Sequence, residues 1–455
     1  MSFLHSLTLP CSYGPASFSS SRILLTTNIL TGLGDVAATV KLLAIFKKYV
    51  ATDRLALCVH KEDFERFHFF EKEIQDIKKI VVIDSPSAED IEKDRDKISS
   101  FNPSLVISFN RGTPFRSELF THPVPGLGVK EYGYHNVMPD EYYHSHRFVK
   151  SSLGLRCSSG MESLDAMGLF QDPSLIEYYH DKRNQDASHR CMTYLPQLSQ
   201  KLLQALFDDD EKKGSFKERV AHFSQTSKLY FGYVGEYFDV NYIKAFIGAM
   251  ILQTPSCPKK ECHLTFVLPG SKCDSKEIFS KHFRLFLLEH GFSYARCIFE
   301  DEHRRHEYLH EKIDLSENKQ MPGRCLTVFR SMTTHEDFLL LMKASEDEVL
   351  GTGDHSISEE LSAGKKVYYQ ELPHKKKFAH DLSNMISKIC KVELDFCPQN
   401  FTGARFHEIA AIEWMRVYFD KLKRSNWDDV ICEIHRNHNV EKRILSIMSK
   451  MESIL

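Results

Sequence analysis

Two rhythms of apolar residues alternate through the first part of the chain. Ile23-Leu24-Leu25-Thr26-Thr27-Asn28, Leu55-Ala56-Leu57-Cys58-Val59, Ile80-Val81-Val82-Ile83 and Leu105-Val106-Ile107-Ser108-Phe109 are short apolar runs without polar alternation. Runs of this kind read as strands buried on both faces. Between them lie residues 35–49, dense in Ala, Leu and Lys, and the charged stretches 61–79 and 88–101, all helical in pattern. Repeated strand–helix alternation predicts a parallel, doubly wound sheet. Gly126-Leu127-Gly128-Val129 reads as one more strand. Residues 151–206 are mainly helical in pattern, and Asp208-Asp209-Asp210-Glu211-Lys212-Lys213-Gly214 is an exposed polar break.

The alternation then restarts. Strands are predicted at Leu229-Tyr230-Phe231-Gly232-Tyr233-Val234, over 263–268, and at Leu326-Thr327-Val328-Phe329-Arg330, Val349-Leu350-Gly351 and Val367-Tyr368-Tyr369-Gln370. Helices are predicted over 241–252, 276–290, 336–344 and 356–363. The charged, His-rich residues 301–318 read as an exposed insertion. Residues 404–423 read as a closing helix with Ile409, Ile412, Met415 and Phe419 on one face. The expected layout is an extension over 1–20, a Rossmann-like α/β domain over 21–207 with a helical insertion and a linker region over 208–228. A second Rossmann-like α/β domain follows over 229–400, with C-terminal helices over 401–455.

Composition narrows the function. The 455 residues carry 62 acidic and 59 basic side chains, a balance of −3, which excludes nucleic acid held mainly by bulk charge. No apolar stretch reaches the roughly 20 residues of a membrane span. Residues 1–20 lack the basic start and long apolar segment of a secretory signal. Twelve cysteines without regular spacing fit reduced thiols and a cytoplasmic location.

Two loops carry candidate chemistry. Leu30-Thr31-Gly32-Leu33-Gly34-Asp35 joins the first strand to the first helix, where glycines permit a tight turn and the helix start offers free N–H groups. Gly32-x-Gly34-x-x-Ala37 also fits a dinucleotide fingerprint, but His60-Lys61 stands where the ribose-binding acid belongs. The second loop is Leu350-Gly351-Thr352-Gly353-Asp354-His355-Ser356-Ile357-Ser358-Glu359, again strand, glycine turn and helix. An open helix start accepts a diphosphate, and a carboxylate one turn further in can accept from ribose hydroxyls. The competing account is capping alone, with Asp354 or Ser356 as N-cap and Glu359 at capping-box distance from Ser356.

Together, the two loops make the chain resemble the GT-B glycosyltransferases, over roughly residues 21–420 in layout. That family has a Gly-rich turn on the acceptor side of an interdomain cleft. Its second domain binds the sugar nucleotide through Ser/Thr-x-x-Glu and a Gly five residues on; Ser356, Glu359 and Gly364 match this spacing. Glu360 departs from the family's usual small residue, and Lys365-Lys366 stands where a proline is common. Bacterial protein-arginine rhamnosyltransferases are similar in layout, so a protein acceptor falls within the expectation.

The resemblance implies transfer of a sugar from a nucleotide-diphosphate donor that serves as co-substrate, with no resident cofactor; no metal is expected either, because no convincing Asp-x-Asp site accompanies the donor loop. Gly353 and Asp354 would shape the donor turn, N–H groups of His355 and Ser356 would face the diphosphate, and Glu359 would hold the ribose. Lys272 and Arg330 are candidate phosphate cations. Asp35, Glu131 and His135 are candidate bases, with Asp35 slightly favoured, beside the acceptor-side Gly32 and Gly34. A nicotinamide-dependent oxidoreductase and a non-catalytic nucleotide-binding protein are the alternatives.

Metal readings are weaker. Asp94-Arg95-Asp96 lies in a charged helical run, His303, His306 and His310 would share one helix face, and Cys257, Cys262 and His263 lack a second pair. His374-Lys375-Lys376-Lys377 reads as a solvated loop.

Overall fold

In the computed structural model the first group of apolar runs forms a six-stranded parallel sheet. Its strands are β1 (Ile23–Asn28), β2 (Leu55–His60), β3 (Lys79–Ile83), β4 (Leu105–Asn110), β5 (Gly126–Lys130) and β6 (Leu155–Ser158), in the order β3-β2-β1-β4-β5-β6. The structure describes residues 21–28, 34–83, 88–110, 126–130, 155–158, 169–182, 185–207, 214–234, 239–254, 262–269, 273–300, 308–315, 324–330, 334–371, 376–394, 396, 408–442 and 445. β1 lies between β2 and β4, with Ile23 opposite both Leu55 and Leu105. Consecutive residues 23–26 and 55–59 are all buried, so both faces of these strands are covered, which explains their unbroken apolar sequence. Leu24, Ala56, Cys58, Val81, Ile98 and Phe101 form one core cluster beneath the helix Ala88–Ser99. The charged 61–79 stretch is a series of short turns, Lys61–Phe64, Glu65–Phe70 and Glu71–Ile74, rather than one helix.

The second sheet has seven strands: β7 (Ser227–Gly232), β8 (His263–Val267), β9 (Phe292–Glu300), β10 (Tyr308–Asp314), β11 (Arg324–Arg330), β12 (Glu348–Gly351) and β13 (Lys366–Tyr369). Their order is β10-β9-β11-β8-β7-β12-β13, with β10 alone antiparallel to its neighbour. The hairpin of β9 and β10 corrects the expectation of an insertion over 301–318. β10 is an edge strand with only Ile313 buried, so its sequence carries almost no apolar rhythm. The predicted helix over 276–290 is two, Ser275–Ile278 and Lys281–Glu289; the Ser280 hydroxyl accepts from Phe283 N–H and starts the second.

The expected domain boundaries need correction. The chain divides into one unit of Met1–Ser159 with Glu441–Leu455, and another of Gly160–Val440. The helices Pro173–Lys182, Ala187–Tyr194 and Gln200–Phe207 belong with the second sheet, not the first. Tyr178 Oη donates to Lys343 O at 2.7 Å, an Arg190 N–H to Ser345 O at 3.1 Å, and Ser199 N–H and hydroxyl to Asp337, both at 2.8 Å. Helical periodicity shows that a segment has an apolar face, not which sheet receives it. The supposed linker contains the helix Phe216–Thr226, begun by a capping box of Ser215 and Glu218 and running directly into β7. At the other end Glu441 rejoins the first unit, accepting from Tyr49 Oη at 2.8 Å and Lys48 Nζ at 2.7 Å.

The closing helix spans Glu408–Arg424 and packs along Asp239–Gln253, where Gly248 leaves room for the Ile412 side chain. Ile412, Met415 and Phe419 are buried as expected, but Ile409 is 64% exposed and leaves the predicted stripe.

Candidate functional site

All strands of the second sheet except β10 run in one direction, so the residues following β7, β8, β11 and β12 share one edge. The chain passes from β7 to β8 on one side, while β12 lies on the other. The β7–β12 boundary is thus where strand order reverses, the place where open α/β sheets gather ligands. Tyr233 N–H donates to Leu350 O at 2.7 Å and extends β7 along β12 up to this point.

Thr352-Gly353 leads from β12 into the helix Asp354–Ser362. Gly353 has φ +77°, a left-handed conformation that glycine adopts without the steric cost of a Cβ. It is itself the N-cap residue and brings no side chain to the first-turn N–H groups. The capping account therefore fails here. Asp354 is the first helical residue rather than the cap, and the Ser356 hydroxyl turns back to donate to Thr352 O. Amides of Asp354, His355 and Ser356 open the helix without a capping side chain, the condition under which a helix start favours an anion.

Glu359 does not cap either. It is 3% exposed, and its Oε1 accepts from Nε2–H of His335 at 2.9 Å. His335 opens the helix His335–Ala344 after β11, and its ring lies parallel to Phe338, with centroids 6.4 Å apart. Phe338 in turn packs edge-on against Phe231 and Tyr233, and the Tyr233 ring reaches within 4.0 Å of the space beside the Gly353 Cα. Thr334 Oγ1 accepts from Asp337 N–H at 3.1 Å and fixes where this helix begins.

The neighbouring Glu360 is wholly buried, and neither of its oxygens has a hydrogen-bond partner. Burial first, then the charge of Glu359, pushes its carboxyl well above the usual range, with Lys365 opposing. Its Oε2 fills the volume that a Cβ on Gly351 would take. A large side chain thus stands where the resembled family has a small one because β12 ends on a glycine. Arg330 closes β11 beside Phe299, at 5.7 Å, with Nε and Nη1 buried and unpartnered.

Of the donor-side residues, Gly353, Asp354, His355, Ser356, Glu359 and Arg330 end on this shared edge, while Lys272 lies outside the described residues. Gly34 and Asp35 open the helix Gly34–Lys47 after β1, at the corresponding edge of the first sheet. Gly32, Glu131 and His135 lie outside the described residues. His335, Tyr233 and Phe338 escaped the sequence reading. The available signals were the helical run up to Ala344 before Val349, and Thr334, a good helix cap four residues after Arg330.

The metal readings change in detail. Asp94 is buried and paired with Lys97 at 2.8 Å, whereas Asp96 is exposed, so the two carboxylates face apart. His310 lies on β10, a strand rather than a helix; His303, His306, Cys257, His374 and Lys375 lie outside the described residues. His263 Nδ1 accepts from Cys325 N–H at 2.9 Å. Among the described residues no cluster of three or more His, Cys, Asp or Glu side chains could hold a metal ion. No helix among them is long and apolar enough to cross a membrane.

No protein-family model matches the chain, and no curated protein matches it. Solved structures similar in fold include glycosyltransferases. The Anabaena HepE protein, in complex with UDP and glucose, is 11% identical, with TM-score 0.43 over 95% of this chain and 100% of its own. The Burkholderia multivorans trehalose 6-phosphate synthase is 8% identical, TM-score 0.41, over 95% and 99%. The Veillonella parvula family 9 glycosyltransferase is 11% identical, TM-score 0.36, over 90% and 100%. Chemistry does not follow from likeness at this level.

Proposed function

We propose that the chain is a glycosyltransferase that takes a sugar from a nucleotide-diphosphate donor. The observation that carries this reading is Glu359: a buried carboxylate, not used for capping, oriented by His335 one turn inside an uncapped helix start at the strand-order reversal. In this reading Glu359 accepts from the ribose hydroxyls and the first-turn amides receive the diphosphate. Arg330 contributes a fixed cation, because its buried, unpartnered N–H groups suit a leaving diphosphate. In the transfer, the acceptor atom bonds to the anomeric carbon as the carbon–oxygen bond to the diphosphate breaks. The acceptor proton goes to a base, for which Asp35 is proposed, with Glu131 and His135 as rivals. The acceptor is proposed to be a protein side chain, and the reaction to need no metal.

Calorimetric titration with UDP, GDP and ADP, alongside a thermal melt, tests the donor site. Glu359→Ala should lose about 1.5–3 kcal/mol of affinity, the scale of a hydrogen bond to a charged group, and keep its melting temperature. Unchanged affinity sinks the assignment. Transfer abolished by EDTA and restored by Mn²⁺ overturns metal independence. Asp35→Asn should lower turnover about 100-fold with donor affinity intact.

The strand order of the first sheet also suits a dinucleotide. Yet β2 ends at His60, Lys61 follows, and Glu62 is exposed in the next turn. Stabilisation by NAD or NADP, and by no nucleoside diphosphate, would favour that second reading.

A further inference from the structure

We propose that His335 is a positioning residue that aims Glu359 at the ribose, so that discrimination for the 2′-hydroxyl depends on a helix the loop sequence does not contain. The inference rests on the donor reading above and extends it to the sugar selectivity of the same site.

A glutamate has three rotatable side-chain bonds, and a carboxylate that swings freely selects poorly between ribose and deoxyribose. Here Glu359 is clamped from outside its own helix. The His335 N–H meets Oε1 at 2.9 Å, and the imidazole is itself held, lying parallel to Phe338 one turn along. Phe338 is wedged against Phe231 at the end of β7, with ring centroids 4.9 Å apart and nearly perpendicular. The helix start beneath His335 is fixed twice. Thr334 caps it, and Asp337 in its first turn accepts two hydrogen bonds from Ser199. Ser199 and Thr334 thus anchor the first turn of the helix whose His335 reaches the carboxylate.

His335 is 26% exposed at its side chain while Glu359 is 4%, so the imidazole bridges solvent and a buried acid at the edge of the candidate site. A helix cap alone needs no such bridge, because Thr334 already performs the capping. A hydrogen bond that only stabilised the fold would affect binding of ribo- and deoxyribonucleotides equally. One that aims a ribose ligand would act on their ratio.

The experiment titrates the full chain with UDP, GDP and ADP, each beside its 2′-deoxy form. The wild type should prefer the ribonucleotide by about tenfold or more, the scale of one hydrogen bond to a charged group. His335→Leu should bring that ratio to about threefold or less while still binding the deoxy form with near wild-type affinity. His335→Gln, whose amide N–H can take the place of Nε2–H, should restore most of the preference. A ratio unchanged in His335→Leu overturns the proposal and leaves the donor reading standing. Equal loss for both forms together with a lowered melting temperature makes His335 structural only, and also overturns it. A wild type that binds none of the six ligands refutes the donor reading and this proposal together.

Discussion

β12 has two ends, and they treat charge in opposite ways. At its start, Asp347 receives Lys182 at 3.2 Å and Arg190 at 3.3 Å. Lys365, wholly buried, donates to Ser345 O at 2.8 Å and Glu346 O at 3.0 Å. Burial, then the nearby Lys182 and Arg190, pushes the Lys365 amine well below its ordinary value. Every one of these charged groups is tied to protein atoms. Arg190 bonds Gln185 O, Ser345 O and Asp347, and leaves its Nε without a partner. Past the finish of the same strand stand an uncapped helix start and a buried carboxyl without a partner, and Arg330, with two unmet N–H groups, closes β11 along the same edge of the sheet. What separates the two ends is placement: at the finish an unmet carboxyl lies inside an open helix start on a ligand-gathering edge, and at the start the charges face one another.

The largest effect is expected at Gly364, on the structural side. It has φ +69°, and a Cβ there would collide with the Tyr179 ring. Gly364→Ala should cost roughly 2–5 kcal/mol, combining left-handed strain and overpacking. Urea unfolding measures it, and nucleotide affinity at the far end should hold. A cost below about 0.5 kcal/mol would mean that Tyr179 moves aside freely.

Asp347→Asn comes next. The carboxylate is 37% exposed, so solvent screens part of its pairing, and about 1–3 kcal/mol is expected rather than the full cost of breaking a buried pair. Burial alone would raise this acid, but the charges of Lys182, Lys365, Arg190 and Lys366 outweigh it and hold the carboxyl well below its usual range. A depressed carboxylate stabilises fully above its unfolded value and loses that contribution as pH falls through the folded one. The gap between wild type and variant should therefore be constant near neutrality and shrink below about pH 4. A gap that persists unchanged at pH 2 contradicts the ionic account.

The smallest effect, of opposite sign, belongs to Glu360 at the other end. Its raised value keeps it protonated in the folded protein at a pH where the unfolded chain ionises. Stability then falls as pH rises above the ordinary carboxylate range. Glu360→Gln should match wild type in thermal melts at pH 4 and exceed it at pH 7.5. A variant less stable than wild type at both values points to a hydrogen-bonding role for the acid.

The alternation of apolar runs revealed both parallel sheets because strands covered on two faces have no solvent side to interrupt them. The β9–β10 hairpin was not legible, since β10 is a polar edge strand. The three amphipathic helices within residues 173–207 were legible as helices and misplaced by domain, because an apolar face does not name its partner. In the candidate site the spacing from Ser356 to Glu359 and Gly364 was legible, but the local bonds of these residues were not. Ser356 bonds Thr352 and Glu359 bonds His335, across 24 residues.

Sequence by itself determined what is local: the strands buried on both faces, the amphipathic helices, the glycine turns, and the carboxylate one turn into the second loop's helix. Tertiary structure alone decided that Lys365 is an interior cation, that Glu360 fits because Gly351 has no side chain, and that His335 reaches Glu359. Periodicity and propensity act over one or two turns of chain and leave their mark in adjacent residues. Burial, charge pairing and side-chain aim depend on which distant segments the folded sheet brings together, and no window of sequence contains both partners.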